Sequence, residues 1–414
     1  MSRDIAAGSV QFDGHDTIVS LWADRCKRYG KRVCHREKKL GIWQEYTWTD
    51  YYTNARLIGL ALLELGVEEG EPVLILSEDR REWLYCDLAA AAIGAIPAGV
   101  YTTDSAKQLA YLAGDSGARV LFVENDEQLD KWLDARAEMP GISRVVVFDR
   151  DGLADFNDDC VMFLDDLIAL GEQQQQSSRF EEALEAVQPD DPRMLIYTSG
   201  TTGPPKGAII THRNMIFELA AGMERLDFRE TDEQLCFLPL CHVLERLVSV
   251  DAPIANGSTV NFAESPETVF DNLREVSPDT FAGVPRIWEK MYSRVMIMRA
   301  EASRLGGWAF DAALFLGRRH ASATRPSLGL RLAYWLAQAT VLHNLRRMMG
   351  LANARRVTSG AAPISPELIN WFGAVGIPLT AGRGLRDDRN RRSCNGELGG
   401  RQPYRHGRQG PARM

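Results

Sequence analysis

The sequence predicts an α/β protein whose sheets are largely parallel and doubly wound. Short apolar runs typical of buried strands, at 72–77, 118–124 and 144–148, alternate with helical patterns at 51–65 and 81–93. Such alternation indicates parallel sheets with helices on both faces. At 414 residues the chain is longer than one core usually supports. We therefore expect two such subdomains, 1–185 and 186–385, followed by a tail at 386–414.

The first elements have local start and stop signals. An amphipathic helical pattern begins at Ile18. Thr49 and Asp50 are good N-cap candidates for the helix at 51–65, and Gly66 should end that helix.

Two predicted strands, 194–196 and 208–210, flank an unusual loop from Tyr197 to Gly207. The loop has three glycines, four Ser/Thr hydroxyls and one lysine in eleven residues. Glycine lets backbone N–H groups approach a ligand, and N–H groups, hydroxyls and a lysine together can hold phosphate oxygens. An ordinary hairpin turn needs only about two to five residues and no such density of hydroxyls. Because Gly207 stands where the common nucleotide loop has Ser or Thr, the sequence predicts a phosphate loop of another kind.

A histidine follows the next predicted strand. The strand ends near Pro239, and we expect it to project His242 from a loop into a cleft. A lone histidine in such a position is more often a satisfied structural residue than a ligand. The residues alone leave both interpretations open.

Two later segments combine a short strand with a turn. Pro285 ends a strand, and residues 286–290 begin a helix in which core packing accounts for Trp288. Ser359 to Pro363 follow another short strand, and their small side chains would let a flat ring lie on the backbone. A plain strand-to-loop transition would suit these residues equally well.

The stretch 291–355 combines aromatic residues with arginines: Trp308, Phe310, Phe315, Tyr334, Trp335, Arg318, Arg319, Arg325, Arg331, Arg346 and Arg347. This spacing favours a packed helical pair with a solvated face. A basic amphipathic helix lying on a membrane surface is the alternative.

Composition restricts the classes of protein that fit. The net charge of −8 opposes a nucleic-acid binder, since phosphate contacts need a basic face. Seven cysteines without any C-x-x-C fit a reducing compartment and predict neither a disulfide framework nor a zinc site. No signal peptide and no uncharged apolar run of membrane-spanning length is evident. We expect a cytoplasmic protein, with peripheral membrane contact left open.

Three motifs together resemble one enzyme family. Residues 198–207, Thr-Ser-Gly-Thr-Thr-Gly-Pro-Pro-Lys-Gly, match at every fixed position the phosphate loop of the adenylate-forming (AMP-binding) superfamily. Leu-Pro-Leu-x-His-x-x-Glu-Arg at 238–246 resembles its second motif. Gly-Val-Pro-Arg-Ile-Trp-Glu-Lys at 283–290 and the long insertion at 291–355 are similar to long-chain fatty acyl–CoA synthetases. Over 15–380 the chain thus resembles the large N-terminal domain of such a ligase.

The resemblance implies a reaction and a set of site residues. The family joins a fatty acid to ATP, giving acyl-adenylate and pyrophosphate, and then transfers the acyl group to coenzyme A, with Mg²⁺ present. It implies catalytic roles for Thr198, Lys206 and His242, Mg²⁺ binding by Thr198, phosphate binding by Ser199, Gly200, Thr201, Thr202, Gly203 and Gly207, and an adenine pocket at Ser359, Gly360, Ala361, Ala362 and Pro363. His242 would lie between the acyl pocket and the coenzyme A channel.

The family pattern ends abruptly near residue 380. The family would continue Glu-Gly-Tyr-Gly-Leu-Thr-Glu, but this chain has Ala-Gly-Arg-Gly-Leu-Arg-Asp from Ala381 to Asp387. The remainder is rich in arginine and glycine, which by itself predicts a disordered basic tail. Codons compatible with Arg386 onward, and with Pro403 to Arg413, read one base later, permit peptides that the family has here. We hypothesise a frameshift and expect the small C-terminal domain to be missing.

Three other functions remain open. The chain could be a different acid–CoA ligase of the same superfamily (aryl, carnitine or bile acid), a non-catalytic remnant that binds nucleotide or acyl groups, or a basic-tailed nucleic-acid binder. The motif at 283–290 and the long insertion oppose the first, and the acidic body opposes the last. The oligomeric state is not predicted.

Overall fold

The computed structural model describes residues 10–198, 203–223 and 228–381. Its strands are β1 Val33–Lys39, β2 Ile42–Thr47, β3 Pro72–Leu76, β4 Ile96–Val100, β5 Val120–Val123, β6 Arg144–Val147, β7 Val161–Phe163, β8 Pro192–Thr198, β9 Lys206–Thr211, β10 Glu233–Cys236, β11 Thr259–Phe262, β12 Thr280–Gly283, β13 Arg356–Ser359 and β14 Leu379–Ala381. The tail predicted at 386–414 lies outside the described residues, so the frameshift stays a hypothesis.

Helices cover the sheets and form the later insertion. They are α1 Ile18–Tyr29, α2 Trp48–Glu64, α3 Arg81–Ala92, α4 Ala106–Ser116, α5 Asp126–Ala135, α6 Leu164–Gln173, α7 Arg179–Ala186, α8 His212–Met223, α9 Val243–Arg246, α10 Ala252–Asn256, α11 Val269–Val276, α12 Pro285–Glu301, α13 Arg304–Ser322, α14 Leu328–Ala337, α15 His343–Met348 and α16 Pro366–Val375. A 3₁₀ turn spans Arg136–Glu138, and π-helical turns span Leu247–Asp251 and Gln338–Leu342.

A seven-stranded sheet has the order β7-β6-β5-β3-β4-β8-β9. All neighbouring pairs are parallel except β8 and β9, which run antiparallel as the two arms of a hairpin. The four residues Val73–Leu76 of β3 are all buried, as expected of a central strand with both faces covered. The α/β fold with a largely parallel sheet is therefore confirmed.

The remaining strands form two smaller sheets, β10-β11-β1-β2 and β12-β13-β14. The two sheets meet where β10 and β12 begin: the Asp279 N–H, just before β12, donates to the carbonyl of Glu233, the first residue of β10, at 3.0 Å. Strand β1 pairs in parallel with β11, and β8 and β9 belong to the large sheet. Strands from both sides of the predicted boundary at 185/186 thus share sheets, and the division of the chain there stays a prediction.

The start of α2 differs from the prediction. Thr47, not Thr49 or Asp50, is the N-cap: its Oγ1 accepts the Asp50 N–H at 3.1 Å, and Asp50 Oδ2 accepts the Thr47 N–H at 2.7 Å. This reciprocal pair is a capping box, in which the third helical residue supports the cap instead of forming it. The prediction of Thr49 or Asp50 as the N-cap is therefore wrong, although Asp50 takes part in the capping box.

The insertion forms a packed helical pair, as predicted. Helix α14 lies against α13, with the rings of His320 and Tyr334 stacked at 4.0 Å. Helix α13 in turn packs on α16, where Gly317 approaches the Ala374 backbone so closely that a Cβ would lie 2.1 Å from its carbonyl oxygen. None of the helices in the described part of the chain has the length and apolarity needed to cross a membrane.

Candidate active site

A cleft of 880 Å³ opens at the carboxyl ends of β4 and β8. Its walls come from the end of β8, the residues after β4, the N-terminal half of α4 and the segment around His242. Ligands of parallel α/β sheets bind at the carboxyl ends of strands, so the cleft has the expected position for a substrate site. Two of the predicted catalytic residues, Thr198 and His242, line it together.

The predicted phosphate loop joins the two arms of the β8–β9 hairpin. Thr198 at the end of β8 pairs with Lys206 at the start of β9, and both side chains are exposed. Gly203 has a φ of +94°, a conformation that favours glycine. A Cβ at Gly207 would lie 2.8 Å from Leu195 Cδ1, so glycine allows the close approach of β9. The predicted phosphate ligands at 199–202 lie outside the described residues.

Helix α4 holds β8 and the segment that leads into β9. The Tyr111 hydroxyl donates to the Pro205 carbonyl at 2.9 Å, and the Tyr197 hydroxyl donates to Asp115 Oδ2 at 2.9 Å. Burial, reinforced by the Asp115 carboxylate, raises the pKa of Tyr197, so its hydroxyl stays a donor. Sequence reasoning missed these anchors because the partners are 82 and 94 residues apart.

His242 has a structural role and also a position suited to binding a ligand, the two interpretations that the sequence left open. Its Nδ1 accepts the Leu244 N–H at 3.2 Å and caps the short helix α9, which is a structural role. The half-buried ring also lines the cleft. Because Nδ1 is an acceptor, the neutral ring carries its hydrogen on Nε2, the nitrogen that remains for a ligand.

A buried ion cluster fixes the helix that His242 caps. Asp87 Oδ2 pairs with Arg193 Nη2 at 2.6 Å, and Asp87 Oδ1 accepts a hydrogen bond from Arg246. Asp251 Oδ1 lies 3.5 Å from Arg193 Nη2, and all four side chains are fully buried. Burial raises the pKa of Asp251 to about 6 and lowers that of Arg246 to about 10. The cluster ties α3, β8 and α9 together beneath the cleft.

The segment predicted to hold adenine forms a tight turn after β13. The Gly360 N–H donates to the Gly283 carbonyl at 3.0 Å, and Ala361 has a φ of +65°, which is uncommon for a residue with a Cβ. Ser359 is buried, whereas Ala361, Ala362 and Pro363 are exposed. Backbone strain of this kind concentrates at functional sites, which fits the predicted role of the turn.

This turn lies against the helix that His242 caps. A Cβ at Gly360 would be 3.1 Å from Leu244 Cδ2, a distance tighter than most real contacts. Glycine at this position therefore allows the turn to approach α9. The structure thus brings the predicted adenine turn next to one side of α9, while His242 and Val243 face the cleft.

A second, mostly apolar cavity of 170 Å³ lies beyond α9. It is lined by Glu218, Leu219, Gly222, Met223, Phe228, Gln234, Leu247, Val248, Ala252, Thr280, Phe281, Ala282, Arg356 and Thr358. Its walls are α8, the helical turns that continue from α9, and the strands β12 and β13. These two strands lead directly into Gly283 and the Ser359–Pro363 turn, so the cavity adjoins the predicted adenine site.

The predicted Mg²⁺ ligand is a single hydroxyl, that of Thr198. Across the described ranges no group of three or more His, Cys, Asp or Glu side chains could hold a metal ion. Mg²⁺ is commonly bound through one or two protein oxygens together with substrate phosphates. An exposed hydroxyl at the mouth of a phosphate loop fits an ion that arrives with its nucleotide.

Comparisons with known proteins agree with this geometry. The chain is 29% identical over 375 residues to the long-chain-fatty-acid–CoA ligase ACSBG2 of Xenopus laevis, covering 88% of this chain and 50% of that protein. It is 30% identical over 387 residues to ACSBG1 of Rattus norvegicus, covering 90% and 52%. The chain therefore spans about half the length of the curated relatives it matches.

Solved structures share the fold. The A-PCP didomain of carboxylic acid reductase from Segniliparus rugosus in complex with AMP has a TM-score of 0.66 at 21% identity, covering 89% of this chain and 52% of that one. The anthranilate CoA ligase AuaEII in complex with anthranoyl-AMP has a TM-score of 0.63 at 22% identity, covering 88% and 58%. The AMP-binding enzyme family model matches residues 22–385. This chain belongs to the AMP-binding enzyme family.

Proposed function

We propose that this chain carries the nucleotide- and acyl-binding domain of an enzyme that converts a long-chain fatty acid into its coenzyme A thioester. The observation that supports this proposal best is the apolar cavity between α8 and β12–β13, which adjoins the adenine turn and is separated from the main cleft by the His242 helix. The names of the curated relatives, long-chain-fatty-acid–CoA ligases, point to the same class of acid.

In the first step a carboxylate oxygen of the fatty acid attacks the α-phosphorus of ATP. The bond from that phosphorus to the oxygen bridging to the β-phosphate breaks, giving acyl-adenylate and pyrophosphate. No protein nucleophile is needed, so the protein contributes alignment and stabilisation of negative charge. The Thr198 hydroxyl, the Lys206 ammonium and loop N–H groups would hold the phosphate oxygens. Mg²⁺, bound through the phosphates and Thr198, would supply further positive charge.

In the second step the thiolate of coenzyme A attacks the acyl carbonyl carbon, and AMP leaves. His242 lies where the cleft meets the helix that borders the acyl cavity. Its capping hydrogen bond fixes the ring, so His242 would position the thioester-forming groups. Gly360 and Ala361 would support the adenine ring meanwhile.

The acid class can be tested by binding, without turnover. Non-hydrolysable acyl-sulfamoyl adenosines with acetyl, octanoyl and palmitoyl chains would be titrated into the protein by calorimetry, with AMP as reference. Each methylene buried in the cavity should tighten binding about fourfold, because burial of one methylene contributes about 0.8 kcal/mol. The palmitoyl compound should therefore bind much more tightly than the acetyl compound.

A matched pair of glycine variants locates the acyl site. Gly222 lines the cavity in α8, and no atom of the described residues lies within 4 Å of its Cβ position, so Gly222→Leu should fill the cavity without a clash against them. We expect it to weaken palmitoyl binding at least about tenfold, by excluding buried methylenes, with AMP binding unchanged. Gly114→Leu, also helical with an open Cβ position, is the control. Tighter binding of an anthraniloyl compound than of the palmitoyl one would instead assign the protein to aryl acids.

A further inference from the structure

Helix α14 has its apolar stripe on the outside. The stripe consists of Leu328, Leu332, Trp335 and Leu336, which are 81%, 62%, 62% and 50% exposed. Their spacing of four, three and one residues places them on one side of the helix. The opposite side, with Tyr334 and Ala337, packs on α13. A helix of a globular protein normally buries such a stripe, so this one is available to an external partner.

Helix α13, which packs on α14, also has three exposed apolar side chains. Leu305, Trp308 and Phe315 are 82%, 73% and 58% exposed. Single exposed hydrophobic residues are ordinary on protein surfaces, but seven on two helices that pack together are not. We call these seven residues the α13–α14 face.

The charge around this face is opposite to that of the whole chain. Residues 285–350 contain eleven Arg and Lys against three Asp and Glu, although the chain has a net charge of −8. Five of these basic side chains are exposed: Arg318, Arg319, Arg325, Arg331 and Arg347. In residues 10–198, 203–223 and 228–381, none of these five guanidinium groups forms an ion pair with a carboxylate. Their positive charge is therefore not neutralised within the described fold.

Neither a second copy of the chain nor a nucleic acid matches both the exposed apolar residues and the positive charge. A second copy of the chain would present the same basic surface, and a symmetric contact would bring like charges together. Nucleic acid would use the arginines, but it offers no apolar phase for three leucines on one helix side. An anionic bilayer matches both, since aliphatic and aromatic side chains enter the interfacial region while arginines reach lipid phosphates. We infer that the α13–α14 face docks on an anionic lipid membrane.

Docking at this face does not depend on which acid the cleft accepts. The proposed contact uses this face alone, and none of the described helices has the length and apolarity to span a bilayer. The orientation follows from the structure: Tyr334 and Ala337 of α14 pack on α13, and Gln338, directly after α14, donates to the Val375 carbonyl of α16 at 3.5 Å, so the stripe lies on the side of α14 away from these contacts. The membrane would therefore meet the protein on the insertion side.

Vesicle co-sedimentation of the 414-residue chain tests this inference. The vesicles contain phosphatidylcholine with about 30 mol% phosphatidylserine, whose surface attracts basic segments by about 1 kcal/mol per residue. We expect the protein to bind them and to bind pure phosphatidylcholine at least about tenfold more weakly. Leu332→Glu/Trp335→Glu should reduce binding at least about tenfold, because two apolar anchors become anionic.

The matched control changes two apolar residues of similar exposure elsewhere. Leu40 and Ile42, at the β1–β2 turn, are 89% and 68% exposed, so Leu40→Glu/Ile42→Glu adds the same charges away from the face. This variant should bind like the wild type. Equal loss in both double variants would overturn the proposal, because charge alone would then explain the effect. Unfolding curves would check that both variants are folded.

A fluorescence measurement identifies the residues that meet lipid. Brominated lipids should quench part of the tryptophan emission, and Trp308→Phe/Trp335→Phe should abolish that quenching while retaining vesicle binding. Quenching that persists in this variant would overturn the proposal. So would self-association in sedimentation velocity that Leu332→Glu/Trp335→Glu abolishes while vesicle binding is absent from the wild type. That result would assign the face to a second copy.

Discussion

Replacing Asp87 with asparagine should destabilise the fold by roughly 3–5 kcal/mol, the cost of leaving buried charges without their partner. Asp87 pairs with two guanidinium groups, Arg193 Nη2 at 2.6 Å and Arg246, and all three side chains are fully buried. Asparagine keeps the shape but has no charge, and its NH₂ group would face hydrogen-bond donors. With Asp251 as the remaining carboxylate, two buried cations would share one anion, whose pKa burial raises to about 6.

Urea unfolding followed by tryptophan fluorescence and by circular dichroism measures this loss. The control is Asp271→Asn, which breaks the exposed pair with Arg274 and should change the free energy of unfolding by at most about 1 kcal/mol. Asp87→Asn should also weaken binding of the palmitoyl-sulfamoyl adenosine, since the cluster anchors the helix that His242 caps. A free energy of unfolding within about 1 kcal/mol of the wild type would refute this account of the cluster.

Three further variants follow from single contacts. Gly99→Ala should lower the free energy of unfolding in urea by about 1–3 kcal/mol, because the added Cβ would lie 2.6 Å from Cys241 Cα. An unchanged free energy of unfolding would mean that the segment around Cys241 moves aside at no cost. Tyr111→Phe removes the 2.9 Å hydrogen bond to the Pro205 carbonyl; we expect ATP to bind more weakly by about 1 kcal/mol in calorimetry, and unchanged affinity would exclude this anchor. Burial lowers the pKa of His212 to about 3, so its neutral ring stabilises the fold above pH 6.5 and this contribution is lost as the pH falls. The stability advantage of wild type over His212→Gln should shrink by about 2 kcal/mol between pH 7 and pH 5, and an advantage constant with pH would contradict it.

The sequence predicted the central strands and helices because their signals are local. The uninterrupted apolar run of β3 and the helix from Arg81 agree with the structure to within a residue at each end. Strand β4 escaped prediction because Pro97 and Gly99 indicate a turn, although both lie in a buried strand. Strand β1 is rich in charged residues; it pairs locally with β2, but its place in the sheet also depends on β11, more than 200 positions later.

In the candidate site, too, some residues could be predicted from a local motif and others could not. The loop motif located Thr198 and Lys206, and the structure places them opposite each other on one hairpin. The capping role of His242 depends on local backbone geometry that the motif does not encode. The Asp87–Arg246 pair joins residues 159 apart, so no periodicity in the sequence reveals it. Long-range pairs of this kind follow only from the assembled fold.

Hydrogen–deuterium exchange with and without ligand tests the central claim most directly. AMP alone should slow exchange in the β8–β9 hairpin and in residues 356–363. Palmitoyl-sulfamoyl adenosine should protect the same segments and, in addition, α8 and the helical turns at Leu247–Asp251, which line the apolar cavity. Identical protection by both ligands, or protection confined to other segments, would contradict an acyl site in that cavity.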